Sequence, residues 1–227
     1  MDVAEALRTR SSKRAFTSQP VPRETIEHLL ELAGLAPSGS NIQPWHVYVV
    51  AGAVRDALCA EVTQAASGDR SAHRREYDYY PDPWREPYLS RRRACGWGLY
   101  SLLGIRKGDR EASLRQELRN FSFFGAPVGL FFYIERDMQP GSWLDYGMFV
   151  QSIMLAARDF GLHTCPQAAW AHFHAIVTRH VGAPPEQMLL CGMALGHADE
   201  RNPVNTYRPA RMAAAEYTRF LGFGDPA

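Results

Sequence analysis

Apolar positions recur at helical spacing in some stretches of this chain and run on unbroken in others, and that contrast marks out its elements. Residues 2–9 read as a short helix. Pro22 opens a second helix, with Ile26, Leu29, Leu30 and Ala33 on one face, and it must stop before Pro37. Residues 46–51 (HVYVVA) are β-branched and aromatic and predict a strand, with a helical pattern after it over 53–65. Helical patterns return at 94–103 and 109–120. Gly125-Ala126-Pro127 then breaks the pattern, and 128–135 (VGLFFYIE) is apolar enough for a central strand.

The longest helical pattern, 143–160, is apolar almost all round through Met148, Val150, Ile153, Met154, Leu155 and Ala156, with Gly161 placed as its C-terminal cap. A helix of this kind is expected to be buried, and a second subunit is one surface that would cover it. Residues 173–181 predict a helix closed by Gly182, and 188–195 (MLLCGMAL) a further buried strand. Residues 67–93 differ in character: they are polar, carry Pro81, Pro83 and Pro87, and mix Tyr77, Tyr79, Tyr80, Trp84 and Tyr88 with arginines, which predicts a long loop or lid. From Gly196 the chain reads as extended and polar up to a last short helix over 213–221. Strands separated by helices with few hairpin signals favour an α+β sandwich with a mixed sheet over an all-parallel, doubly wound one.

Length and composition narrow the picture. The 227 residues fit one enlarged domain spanning 1–227, with two small domains as the alternative, and 46% hydrophobic residues suffice for a packed core. Lys and Arg number 25 against 24 Asp and Glu, so no long-range field draws in nucleic acid or an anionic membrane, and any anion must be bound locally. Residues 1–10 lack the apolar run of a signal peptide, and no stretch approaches the roughly 20 apolar residues of a membrane span, so a cytoplasmic protein is expected. The four cysteines form no C-x-x-C pair, and His172-x-His174 has no third ligand at a usable spacing, so no metal is expected.

The candidate chemistry lies outside the apolar runs. Arg10-Ser11-Ser12-Lys13-Arg14 gathers three cations and two hydroxyls after a helix, which suits a phosphate and its neighbouring hydroxyls, although a solvated basic turn has the same composition. Pro37-Ser38-Gly39-Ser40-Asn41-Ile42-Gln43-Pro44-Trp45 offers hydroxyls, amides and a glycine where backbone can approach a ligand. No Ser-His-Asp order, carboxylate pair or phosphate-loop glycine pattern competes with them, and Gly96-x-Gly98 lacks the strand context of a dinucleotide fold.

Taken together, R-S-S-x-R-x-F followed after one helix by A-P-S-G-S-N-x-Q-P-W resembles the flavin nitroreductase family. Cys165-Pro166-Gln167-Ala168-Ala169-Trp170 is similar to that family's loop beside the isoalloxazine, and Arg208-x-x-Arg211 to its phosphate-binding tail. The segment 120–127 is similar to the branch that contains nitrobenzoate reductases. The resemblance implies a three-layer α-β-α sandwich working as a homodimer, with a C-terminal arm (197–227) embracing the partner. It implies FMN held by Arg10, Ser12, Arg208 and Arg211 at the phosphate, with Ser11 also among the cofactor-binding residues and Arg14 near the ribityl chain and pyrimidine edge, where a cation favours the reduced flavin. Pro37, Ser38, Gly39, Asn41 and Gln43 would reach the flavin of the partner subunit, and Pro166, Gln167, Ala168 and Ala169 would run beside the ring; Ala168-Ala169 replaces the family's usual Glu-Gly.

The activity so implied is an NAD(P)H oxidoreductase: NADH or NADPH and then a nitroaromatic occupy one pocket in turn, giving hydroxylamines by a ping-pong hydride mechanism. Phe123, Phe124, Tyr88 and Trp84 are candidates for the substrate side, with core packing as their other reading. An arginine from 67–93 is a candidate partner for a substrate carboxylate. Dehalogenation, enone reduction, oxidative flavin chemistry and flavin binding without turnover remain the alternatives.

Overall fold

In the computed structural model, which describes residues 1–223, the elements follow one another as α1 (Val3–Thr9), α2 (Arg23–Ala33), β1 (His46–Ala51), α3 (Gly52–Ser67), α4 (Tyr88–Leu102), α5 (Arg110–Leu118), β2 (Val128–Glu135), α6 (Pro140–Asp159), β3 (His163–Gln167), α7 (His174–Val181), β4 (Gln187–Gly196) and α8 (Ala214–Tyr217). The strands form one sheet in the order β1-β2-β4-β3, with each neighbouring pair antiparallel. The parallel component expected of a mixed sheet is confined, among the described residues, to a single bridge between Ser12 and Thr164 at the β3 edge.

Helices cover both faces of the sheet, as a three-layer sandwich requires. β2 alternates strictly: Leu130, Phe132 and Ile134 point to α2 and α6, while Phe131 and Tyr133 point to α3 and α7. A bulge in the β2–β4 register beside Phe132 and Tyr133 leaves Leu190 without a partner, so that Leu190 and its neighbour Cys191 both pack on the α2 and α6 side while Leu189 reaches the other. Two sheet glycines let aromatic rings lie flat on the strands. A Cβ on Gly129 would stand 2.2 Å from the Phe123 ring, and one on Gly192 would stand 2.5 Å from Trp170.

Several boundaries differ from the sequence expectation. β3 was expected as loop: H-T-C-P-Q carries no apolar run, and Pro166 is tolerated because β3 is an edge strand. α4 begins at Tyr88, so the irregular insertion ends at Pro87; the Glu86 carboxylate accepts from the Ser90 N–H at 3.2 Å and starts the helix. α8 stops at Tyr217, short of the expected 221, because Thr218 turns extended. α6 buries Tyr146, Phe149, Ile153, Met154 and Ala157 on one face, while Leu144 on the other is 71% exposed. Of the expected arm, 224–227 lie outside the described residues. Among the described residues no helix is long and apolar enough to cross a membrane.

Candidate functional site

α1 ends at Thr9 because Arg10 turns extended, and the following residues run along the open edge of β3. Ser12 bridges to Thr164, and the Lys13 N–H donates to the Thr164 carbonyl at 3.1 Å. A second strip of chain lies against the first: the Thr17 N–H donates to the His197 carbonyl at 2.9 Å, and the Asp199 N–H to the Ala15 carbonyl at 3.0 Å. Asn205, buried, locks the two together. Its side-chain oxygen accepts from the Arg14 N–H at 2.7 Å, and its amide nitrogen donates to the Ala15 and Asp199 carbonyls at 2.7 and 2.9 Å.

These strips enclose a cleft of about 320 Å³ lined by Arg8, Arg10, Arg14, Arg208 and Arg211, with Ser11 and Ser12, and no carboxylate among its lining residues. Arg208 Nη1 donates to Ser11 Oγ at 2.7 Å, tying the N-terminal and C-terminal segments at the mouth. None of Arg10, Arg14, Arg208 and Arg211 has a carboxylate partner among the described residues. Burial lowers the Arg10 pKa, and the neighbouring Arg211 and Arg208 cations lower it further. Gathering like charges without counter-ions costs free energy that a bound anion returns, and guanidinium forks beside hydroxyls match a phosphate. Lys13 stands apart from this set: it is buried, with Nζ 3.3 Å from the Asn205 carbonyl and 3.5 Å from Glu200, and braces the turn from behind.

Thr164 leads directly to the second group of expected residues, Pro166 to Ala169. Pro166 is exposed, and Ala168 and Ala169, half-buried, open the 3-10 turn Ala168–Phe173, whose leading N–H groups have no partner within the turn. Gln167 points inward. It is buried, its Nε2 donates to the Asn120 carbonyl at 2.7 Å, and its Oε1 is buried without a partner. Its side chain therefore braces the strand end from inside. Two hollows flank this loop. One of about 460 Å³ is lined by Arg70, His73, Arg75, His172 and Phe121; the other, about 520 Å³, is apolar and lined by Trp143, Tyr146, Val150 and Cys191.

Pro37, Ser38, Gly39, Asn41 and Gln43 line neither the arginine cleft nor these two hollows. Their loop is held in a strained form, with positive φ at Ser40, Asn41 and Gln43, and is pinned to α6 where the Gly39 N–H donates to Asp145 at 3.1 Å. Phe123 and Phe124, expected on the substrate side, are core residues. Both have positive φ, which folds their turn back on the sheet, and Phe123 stacks on Trp170 with ring centroids 4.6 Å apart. Tyr88 is 42% exposed under the guanidinium groups of Arg85 and Arg91 and lines none of these cavities. Trp84 lies under Arg92 at 4.8 Å. His172 faces the cationic hollow, whereas His174 turns to Glu76 at 3.2 Å. Among the described residues no group of three His, Cys, Asp or Glu side chains could hold a metal.

Sequence reasoning missed Asn205, which sits in an ordinary polar turn with nothing to mark it. It also missed Asp145, whose signal was available: an acid flanked by apolar residues near the start of the longest apolar helix.

Residues 7–197 match the family model described as "Nitroreductase family". The chain is 40% identical over 222 residues to a 4-nitrobenzoate reductase of Pseudomonas putida, covering 98% of this chain and 96% of that one. It is 37% identical over 219 residues to a chloronitrobenzene nitroreductase of Comamonas testosteroni, covering 96% of each. Its fold superposes on the crystal structure of the FMN and NADPH-dependent nitroreductase NfnB from Sphigopyxis sp. strain HMH with a TM-score of 0.95, at 40% identity, covering 98% of this chain and all of that one (100%).

Proposed function

Because the chain belongs to the nitroreductase family, we propose that it is an FMN-dependent NAD(P)H oxidoreductase that reduces nitroaromatic compounds through nitroso to hydroxylamine products. The observation that carries this reading is the arginine cleft: five guanidinium groups and two serine hydroxyls with no carboxylate among its lining residues, at the edge of the strand that leads to Pro166–Ala169.

The donor set fits FMN. In this proposal Arg10, Ser11, Ser12, Arg208 and Arg211 hold the phosphate, and Arg14, in the same cleft, stands toward the ring. FMN supplies, when bound, two-electron carriage between a reduced nicotinamide and a nitro group. The protein contributes binding and tuning: Arg14 places positive charge where reduction builds negative charge, and the N–H groups that open the turn at Ala168 offer donors to a ring beside them. Ala168 and Ala169 bring no carboxylate, so backbone rather than side chain makes that contact. A general acid or base is not required of the side chains, because the cofactor does the chemistry.

The reading includes a homodimer. Pro37 to Gln43 lie away from their own chain's cleft, and exposed apolar side chains on α6 (Leu144), on α4 (Trp97, Leu102) and in the arm (Phe220, Leu221) are covered by a partner in this proposal. In this proposal residues 1–227 act as one domain, and the reaction runs in the cytoplasm, where reduced nicotinamide is at hand.

The test is initial-rate kinetics with NADPH varied at several fixed concentrations of nitrobenzene. Parallel double-reciprocal lines are expected, since donor and acceptor use one site in turn; converging lines would reject the shared site.

A further inference from the structure

The two hollows beside Pro166–Ala168 differ in chemistry, and neither the family nor the relatives say why. One is apolar. The other, about 460 Å³, is lined by Arg70, His73, Arg75 and His172 together with Phe121, Phe173, Ala168 and Ala169. Its lining includes one carboxylate, Glu117, already engaged by Arg70 Nη1 at 2.6 Å; Arg70 also donates from Nε to the Ala66 carbonyl at 2.5 Å.

Arg75 is the cation left over. It forms no ion pair among the described residues, its Nε is buried without a hydrogen-bond partner, and its guanidinium rests 5.8 and 5.6 Å from the ring centres of Tyr79 and Tyr80. Its field reaches across the hollow. Burial lowers the His172 pKa, and Arg75 and then Arg70 lower it further. A half-buried guanidinium held against aromatic rings and left without an ion pair among the described residues, in a hollow that Phe121 and Phe173 also line, has the makings of an anion-recognition site.

We propose that this hollow is an anion subsite of the reaction site, in which Arg75, supported by Arg70, receives the carboxylate of an aromatic acid whose ring lies against Ala168 and Ala169. The inference rests on the reading of those alanines as the loop beside the flavin. Arg75 is on this account the specificity-determining residue that separates carboxylated from uncharged nitroarenes. Overall similarity does not make that distinction, since the chain is about as similar to a 4-nitrobenzoate reductase as to a chloronitrobenzene nitroreductase. The 2′-phosphate of NADPH shares the same anionic chemistry, but the aromatic side chains that line the hollow favour a one-ring acid.

The experiment uses the FMN-loaded protein and its Arg75→Gln and Arg75→Lys variants. Calorimetric titration with benzoate gives the Kd directly, and kcat/KM is measured with 4-nitrobenzoate, nitrobenzene, NADPH and NADH. Arg75→Gln is expected to raise the benzoate Kd about tenfold or more, and to lower the kcat/KM ratio of 4-nitrobenzoate over nitrobenzene by a similar factor. Arg75→Lys should recover part of both. An unchanged benzoate Kd, or an unchanged ratio of the two nitroarenes, would overturn the assignment. So would a fall confined to the NADPH over NADH ratio, which would give the cation to the 2′-phosphate. The benzoate titration needs no turnover, so failure of the reaction and failure of the subsite are read separately.

Discussion

Asn205 uses both ends of its side-chain amide, and through them it holds two segments almost the length of the chain apart. Replacing it with alanine leaves the Arg14 N–H without a partner and takes from the Ala15 carbonyl one of its two donors, the Asp199 N–H remaining, at a cost of about 1–3 kcal/mol. Arg208 lies exposed at the mouth of the same cleft, where its Nη1 donates to Ser11 Oγ at 2.7 Å and more weakly to the Asn205 and Tyr207 carbonyls at 3.3 Å. Asn205→Ala should therefore lower the unfolding temperature and weaken FMN binding together, whereas Arg208→Gln should weaken FMN binding about tenfold or more and leave the unfolding temperature nearly unchanged. Fluorescence titration with FMN alongside thermal unfolding checks both. Equal thermal losses in the two variants would mean that the arginines serve the fold rather than an anion. At this scale the sequence showed the cations and hydroxyls, because charge and hydroxyl content are local properties. It did not show Asn205, whose work depends on partners 190 residues away. Nor did it decide Phe123 and Phe124, since an aromatic pair reads the same in a core and in a pocket.

At the scale of elements, the central strands were legible because β2 and β4 are buried on both faces and carry nearly unbroken apolar runs. β3 was not, because an edge strand with one polar side and a proline leaves no run to see. The arginines at 91–93 masked the first turns of α4, whose remainder was read as helix at 94–103; the helix buries none of its residues in the single chain and so has no apolar stripe to mark its start. The sheet also depends on glycines whose reason lies on another element. Gly192→Ala would drive a methyl group to 2.5 Å from Trp170, at a cost of about 1–3 kcal/mol, whereas Gly141→Ala meets nothing within 4 Å. Chemical denaturation should show a lowered midpoint for the first and an unchanged or higher one for the second. Matching midpoints would show that the ring can move aside, and that the tight packing of Trp170 over β4 is not essential.

For the whole molecule, the near balance of charge leaves binding to local clusters, among them the arginine cleft and the cationic hollow by Ala168. One short edge strand links them: Ser12 of the cleft bridges to Thr164, and Pro166, two residues on, lines the hollow. In the proposed function the FMN phosphate sits in the cleft and its ring lies beside Pro166–Ala169. The most direct test is the visible absorption spectrum of the purified protein after incubation with FMN and removal of the excess, followed by anaerobic addition of NADPH and then of nitrobenzene. Retained flavin bands that bleach with the nicotinamide and return with the nitroarene are predicted. A protein that stays colourless, holds no FMN and oxidises no nicotinamide would contradict the proposed function.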